Sequence, residues 1–159
     1  MRNRVVLKLG TFAVLVCAAV LAGSPMQASA QLQARLFTTG GNNEIHLGSG
    51  GAQWCVHVEP VGGGFQVTNI DLCSVRLASP PNGSVNEIAL DCTKTVIVGD
   101  GDGNGVQDVQ LCFVKTAMAP LFDNLHGNSP KTVTVFVTGN LYGGGSFGGS
   151  LTLTLYLKS

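Results

Sequence analysis

Apolar and polar side chains alternate in four clear runs. Trp54, Val56 and Val58 alternate with Gln53, Cys55, His57 and Glu59, and Val109, Leu111 and Phe113 alternate with Asp108, Gln110 and Cys112. Val133, Val135 and Val137 do the same against Thr132, Thr134, Phe136 and Thr138, and Leu151, Leu153, Leu155 and Leu157 against Thr152, Thr154 and Tyr156. A period of two puts every second residue on one face, so each run predicts a strand with one buried side. Weaker candidates are Gln33 to Phe37, Glu44 to Leu47, Phe65 to Thr68, Ile70 to Leu77, Glu87 to Leu90 and Thr95 to Val98. Turn-forming clusters separate them, such as Gly40-Gly41-Asn42-Asn43, Gly62-Gly63-Gly64 and Pro80-Pro81-Asn82-Gly83. Helical periodicity is confined to Ala117 to Leu125, enough for one turn at most. Short strands with this punctuation predict an all-β fold, a single antiparallel β-sandwich of immunoglobulin-like type.

The first thirty residues follow another logic. Arg2, Arg4 and Lys8 precede an uncharged, mostly apolar run from Leu9 to Ala22, then Gly23-Ser24-Pro25 and Ala28-Ser29-Ala30. This is the order of a secretory signal peptide, with a basic start, an apolar centre and small residues before the cut. The expected domain plan is therefore a cleaved signal helix at 1–30 and a β-sandwich domain at 31–159. The apolar run has 14 residues, against the roughly 20 that a helix needs to span a bilayer, so no membrane span is expected. The expected location is secreted, periplasmic or extracellular.

Removing the leader takes three of the nine basic residues and none of the nine acidic ones, so the remainder carries about −3. A mildly acidic chain with scattered Lys and Arg has no basic stripe with which to neutralise phosphates, which excludes a nucleic-acid partner. Cys17 leaves as well, and Cys55, Cys73, Cys92 and Cys112 remain. Four cysteines in an exported chain predict two disulfides, with three pairings open. Their separations of 18, 19 and 20 residues lack the close Cys pair of a zinc site.

One segment carries metal chemistry: Asp100-Gly101-Asp102-Gly103-Asn104-Gly105-Val106-Gln107-Asp108. Calcium is a hard cation that takes six to eight oxygens, and loops that wrap it supply them at alternate positions. Here these are the carboxylates of Asp100, Asp102 and Asp108, the amide oxygen of Asn104 and the main-chain carbonyl of Val106, with Gly105 allowing the turn. The segment resembles the calcium loops of EF-hands, dockerins and thrombospondin repeats. It departs from the EF-hand in having Leu111 where the bidentate glutamate stands and in having strand-like flanks. The expected cofactor is a structural Ca2+ held weakly, in the range of extracellular modules.

From about Phe65 to Leu157 the chain resembles an uncharacterised domain type of exported bacterial proteins, a sandwich of immunoglobulin-like or cohesin-like appearance. Three stretches carry the likeness: Ile70 to Leu77, the Asp/Gly loop running into Val109 to Phe113, and Val135 to Leu141 followed by Gly145 to Ser150. It implies an accessory or surface domain with a metal-stabilised loop and brings no catalytic residue with it.

An enzyme is not expected. His46, His57 and His126 are the histidines, none lies in a recognisable catalytic motif, and His57 on the polar face of its strand should be solvated. The expected function is a structural or interaction domain with an unidentified protein or glycan partner. For glycans, Tyr142 and Tyr156 are the candidate platform, with Trp54 assigned to the core. Self-association through the edges of the Thr-rich strands, Thr132 to Thr138 and Thr152 to Tyr156, is the remaining expectation.

Overall fold

The computed structural model describes residues 30–157. The expected signal peptide therefore lies outside the described residues, apart from Ala30. The elements are β1 (Leu32–Phe37), β2 (Glu44–His46), β3 (Gln53–Pro60), β4 (Arg76–Ala78), β5 (Glu87–Ala89), β6 (Ile97–Gly99), β7 (Asp108–Val114), the one-turn helix α1 (Lys115–Met118), β8 (Lys131–Asn140) and β9 (Ser146–Tyr156). All four runs with clear alternation form strands. The fold is all-β.

The strands make one curled sheet in the order β5-β4-β8-β9-β1-β3-β7-β6, with β2 also pairing β9. This corrects the expectation of a purely antiparallel sandwich, because the sheet is mixed. The strand β1 starts parallel to β9, with Leu32 opposite Phe147. It then runs antiparallel to β3, with Arg35 opposite Glu59 and Phe37 opposite His57. After the tight turn at Thr39–Gly41 the chain returns to β9, where β2 pairs in parallel, Ile45 opposite Leu155. β1 is thus the corner that joins two antiparallel groups, β5-β4-β8-β9 and β3-β7-β6. Glycine makes the corner tight: a Cβ on Gly149 would lie 2.4 Å from the Ala34 carbonyl oxygen, so a side chain there would push the strands apart.

Both groups bury their apolar faces in one core, which includes Trp54, Val56, Val58, Leu111, Phe113, Val135, Val137, Phe147 and Leu155. Trp54 is buried, as its alternation predicts, and its indole N–H donates to the Glu44 carbonyl at 3.1 Å, which meets the polar need of a buried indole. The expected strand over Ile70 to Leu77 forms only at its end. Asp71 is the reason: its carboxylate accepts from the Cys73 N–H at 3.2 Å and its carbonyl from the Ser74 N–H at 3.0 Å, folding Leu72–Ser74 into a 3-10 turn. The segment Phe65 to Thr68 also turns, at Val67–Asn69.

The Thr-rich strands are covered on both sides along part of their length: β4 pairs β8 at 136–138, while 131–135 has its ladder with β9 alone. β8 lies between β4 and β9, and β9 lies between β8 on one side and β1 with β2 on the other. Two disulfides close the frame. Cys55–Cys112 ties directly opposed residues of β3 and β7, and Cys73–Cys92 ties the 3-10 turn to the loop after β5.

Leu111→Ala removes a fully buried side chain and should lower the unfolding free energy by about 2–5 kcal/mol. Thr152→Ala, on the exposed face, should change it by less than about 0.5 kcal/mol. Urea unfolding measures both, and non-reducing peptide mapping should recover the two cross-linked pairs above.

Candidate metal centre

The alternation that sends Val56, Val58, Val109 and Leu111 inward sends His57 and Glu59 of β3, Asp108 and Gln110 of β7, and Arg35 and Phe37 of β1 to the outer face of the sheet. An outer face is ordinarily wet. Here His57 and Glu59 are only 7% and 6% exposed, because the loop between β6 and β7 and the turn at Thr39–Gly41 lie over them. The expectation of a solvated His57 is overturned. Its ring stacks on Phe37 at 4.8 Å, and Gly101 passes so close that a Cβ there would be 2.7 Å from the imidazole.

The loop is organised by its own acidic residues. One Asp100 oxygen accepts from the Asn104 N–H at 2.9 Å and the other from the Gly105 N–H at 2.8 Å, so the chain curls around this carboxylate. Gly105 takes φ +86°, the left-handed region in which a side chain is strained, as the loop reading requires. The Asn104 amide oxygen accepts from the Val106 N–H at 2.7 Å, and its NH2 donates to Glu59 at 2.8 Å. Asp108, at the start of β7, is almost wholly buried. One of its oxygens accepts from His57 Nδ1 at 2.6 Å and the other from the Gly101 N–H at 2.6 Å. Across the ring, His57 Nε2 meets the Thr39 hydroxyl at 3.0 Å and the Gln110 carboxamide at 3.3 Å.

Arg35 ties the loop to the sheet. Its Nε and Nη2 donate to the two oxygens of Glu59 at 2.8 and 2.7 Å, and Nη2 also bridges to Asp102. Bidentate guanidinium–carboxylate pairs are the strong class of ion pair. The hydrogen bonds from Arg35 hold Glu59 below its ordinary value, against the opposing effect of burial, and they lower Asp102 in the same way. Those bonds, first to Glu59 and then to Asp102, raise Arg35 further above its already high value.

Among the described residues, Glu59, Asp102 and Asp108 each bring a carboxylate oxygen to within 4.8 Å of the others, a group that can hold a metal ion. Of the five loop positions expected to converge, the structure gathers Asp102 and Asp108. Asp100 and Asn104 turn their side-chain oxygens onto the loop's own N–H groups, and Val106, expected to offer its main-chain carbonyl, lies in the same exposed loop. Glu59 is the member of this carboxylate group that sequence reasoning missed. It brings a carboxylate of the kind that Leu111 fails to supply. The available signal was a charged residue closing an otherwise core-forming strand, Trp54 to Pro60.

Two depressed carboxyl groups fix the sign of the acid response. Stability from Glu59 and Asp102 is fully present above their ordinary values, 4.5 and 3.8, and is lost as pH falls through the lower folded-state values. In chelator, the wild type should lose stability as pH falls below about 4.5, and Glu59→Gln should flatten that slope. At neutral pH the same variant should cost about 1–3 kcal/mol, because Arg35 loses its charged partner. Urea unfolding at several pH values checks both.

No protein-family model matches the chain, and no curated protein or solved structure matches it either.

Proposed function

We propose that the chain is an exported structural or interaction domain whose loop at Asp100–Asp108 binds one structural Ca2+, with Glu59 as an additional ligand from the neighbouring strand. The observation that carries the reading is the convergence of Glu59, Asp102 and Asp108 within 4.8 Å. Three carboxylates that close repel one another unless positive charge stands among them; Arg35 supplies a single charge, to Glu59 and Asp102, and hard oxygen donors of this kind select a hard cation for the remainder. Asp100, Asn104 and the Val106 carbonyl complete the set once the loop tightens around the ion. The ion's role is to fasten the loop over the outer face of β3.

Export is supported by the basic-apolar-small order of the first thirty residues and by two disulfides, which persist in oxidising compartments. Among the described residues, no helix is long and apolar enough to cross a membrane. The immunoglobulin-like reading of the fold rests on two antiparallel strand groups that share one core.

The partner is a protein or a glycan. Tyr142 and Tyr156 do not make a common platform: Tyr142 lies in the turn before the eleven-residue β9 and Tyr156 is its last residue, and Tyr156 is stacked on His46 at 4.2 Å. The exposed Tyr142 stays as a contact point.

One observation favours a second reading, a hydrolase. The Thr39 hydroxyl, the His57 ring and Asp108 stand in line at 3.0 and 2.6 Å, the order of nucleophile, base and orienting carboxylate. The structural reading expects no turnover of aryl esters. Turnover abolished by both Thr39→Ala and His57→Ala would replace it.

Calcium at ten times its dissociation constant stabilises the folded state by about 1.4 kcal/mol, which for a domain of this size raises the melting temperature by about 4 °C. Scanning calorimetry in millimolar calcium and in chelator should show that rise, reduced or abolished in Asp102→Asn. Superimposable curves for the wild type would sink the calcium reading.

A further inference from the structure

Arg35 raises a question of its own, because its guanidinium already occupies Glu59 and Asp102, two of the carboxylates that a divalent ion would use. Arg35 Nη2 lies 2.7 Å from Glu59 Oε2 and bridges to Asp102 Oδ2, two of the three carboxylates that converge. A calcium ion on those carboxylates would sit about 2.3–2.6 Å from their oxygens, where the guanidinium hydrogens now point. Two positive charges at that separation repel. We infer that Arg35 is a built-in competitor for the cation: its guanidinium closes the loop onto the sheet in the absence of calcium and swings aside when calcium binds. The inference rests on the calcium reading above and deepens it.

Three features of the fold make the swing cheap. The Arg35 side chain is 41% exposed while that of its partner Glu59 is 8% exposed, so the cation is the mobile member of the pair. Beside it opens a cavity of about 370 Å³ bounded by Arg35, Phe37, Thr38, Asp102 and three glycines, Gly40, Gly41 and Gly101, which carry no side chain to obstruct entry. The Phe37 ring already lies under the guanidinium at 4.4 Å, and its face continues to attract the cation once the carboxylates are surrendered. The two closed states then differ in which cation neutralises the loop. Such an arrangement lets the chain fold before it meets calcium, since Glu59 is never buried without a positive partner. It also weakens calcium binding by the free energy needed to displace Arg35.

Calorimetric titration of calcium into the wild type, Arg35→Met and Arg35→Lys tests this. Arg35→Met keeps much of the apolar stem and removes the charge, so its dissociation constant should fall by at least about tenfold, equivalent to about 1.4 kcal/mol of lost competition. Arg35→Lys keeps the charge without the fork and should fall between the two. In chelator the melting temperature of Arg35→Met should drop below that of the wild type. Equal or weaker calcium binding by Arg35→Met, with the wild type binding, overturns the competitor role and leaves the calcium site standing. Absence of binding by all three overturns the calcium reading itself. Should Arg35→Met be unfolded in chelator, recovery of its circular dichroism on adding calcium supports the inference. Failure to recover at about 10 mM, above the range of weak extracellular sites, overturns it.

Discussion

A carboxylate removed from water costs several kcal/mol unless cations and N–H groups replace its hydration, and Glu59 is such a carboxylate. It stands on the outer face of β3, 6% exposed, and meets the fork of Arg35 and the amide of Asn104. Each partner comes from a different piece of chain. Arg35 is its register partner on β1, and Asn104 hangs from the loop between β6 and β7. Satisfying one buried charge therefore fixes the loop's position relative to the sheet, and a second polar pair, His57 with Asp108, fixes its other end. Remove the covering loop and the face reverts to an ordinary wet surface with no reason to be ordered.

The rest of the architecture serves that face. Gly101 passes over the His57 ring because nothing larger fits, and Gly105 turns the chain back so that Asn104 reaches Glu59. β1 has to lie beside β3 for Arg35 to oppose Glu59, and it does so because Gly149 lets it leave β9 at close range. The Cys55–Cys112 bridge holds β3 and β7 together at the far end of the same face. Fold and site meet here: the cluster that can hold a cation is assembled from β3, β7 and one loop and is bridged by Arg35 of β1, so it depends on the register of all three strands.

Periodicity made much of this legible in advance. The four runs with clear alternation became β3, β7, β8 and β9, and the Asp/Gly segment became a curled loop with a left-handed glycine at its sixth position. What alternation states is which face a residue occupies, not what covers that face. His57 was assigned correctly to the outer side, yet the loop above it made that side a second, polar interior. Pairing partners were equally hidden, since Arg35 and Glu59 are 24 residues apart and meet through register alone. The parallel contacts of β1 and β2 with β9 depend on a strand that changes neighbours midway, and nothing in a two-residue period encodes that change. Where the sequence reading failed locally, at Ile70 to Leu77, a single Asp side chain had bonded its own backbone and outcompeted the ladder.

Amide hydrogen exchange resolved at Gly101, Asn104 and Gly105 tests the central claim most directly, because these N–H groups are the bonds by which the loop holds Asp108 and Asp100. The account predicts that all three are protected in chelator, slow by at least about a further tenfold in calcium, and lose their protection in chelator in Glu59→Gln. Exchange at unprotected rates in the wild type, the same with and without calcium, would show that the loop is not docked on Glu59 and would contradict the account.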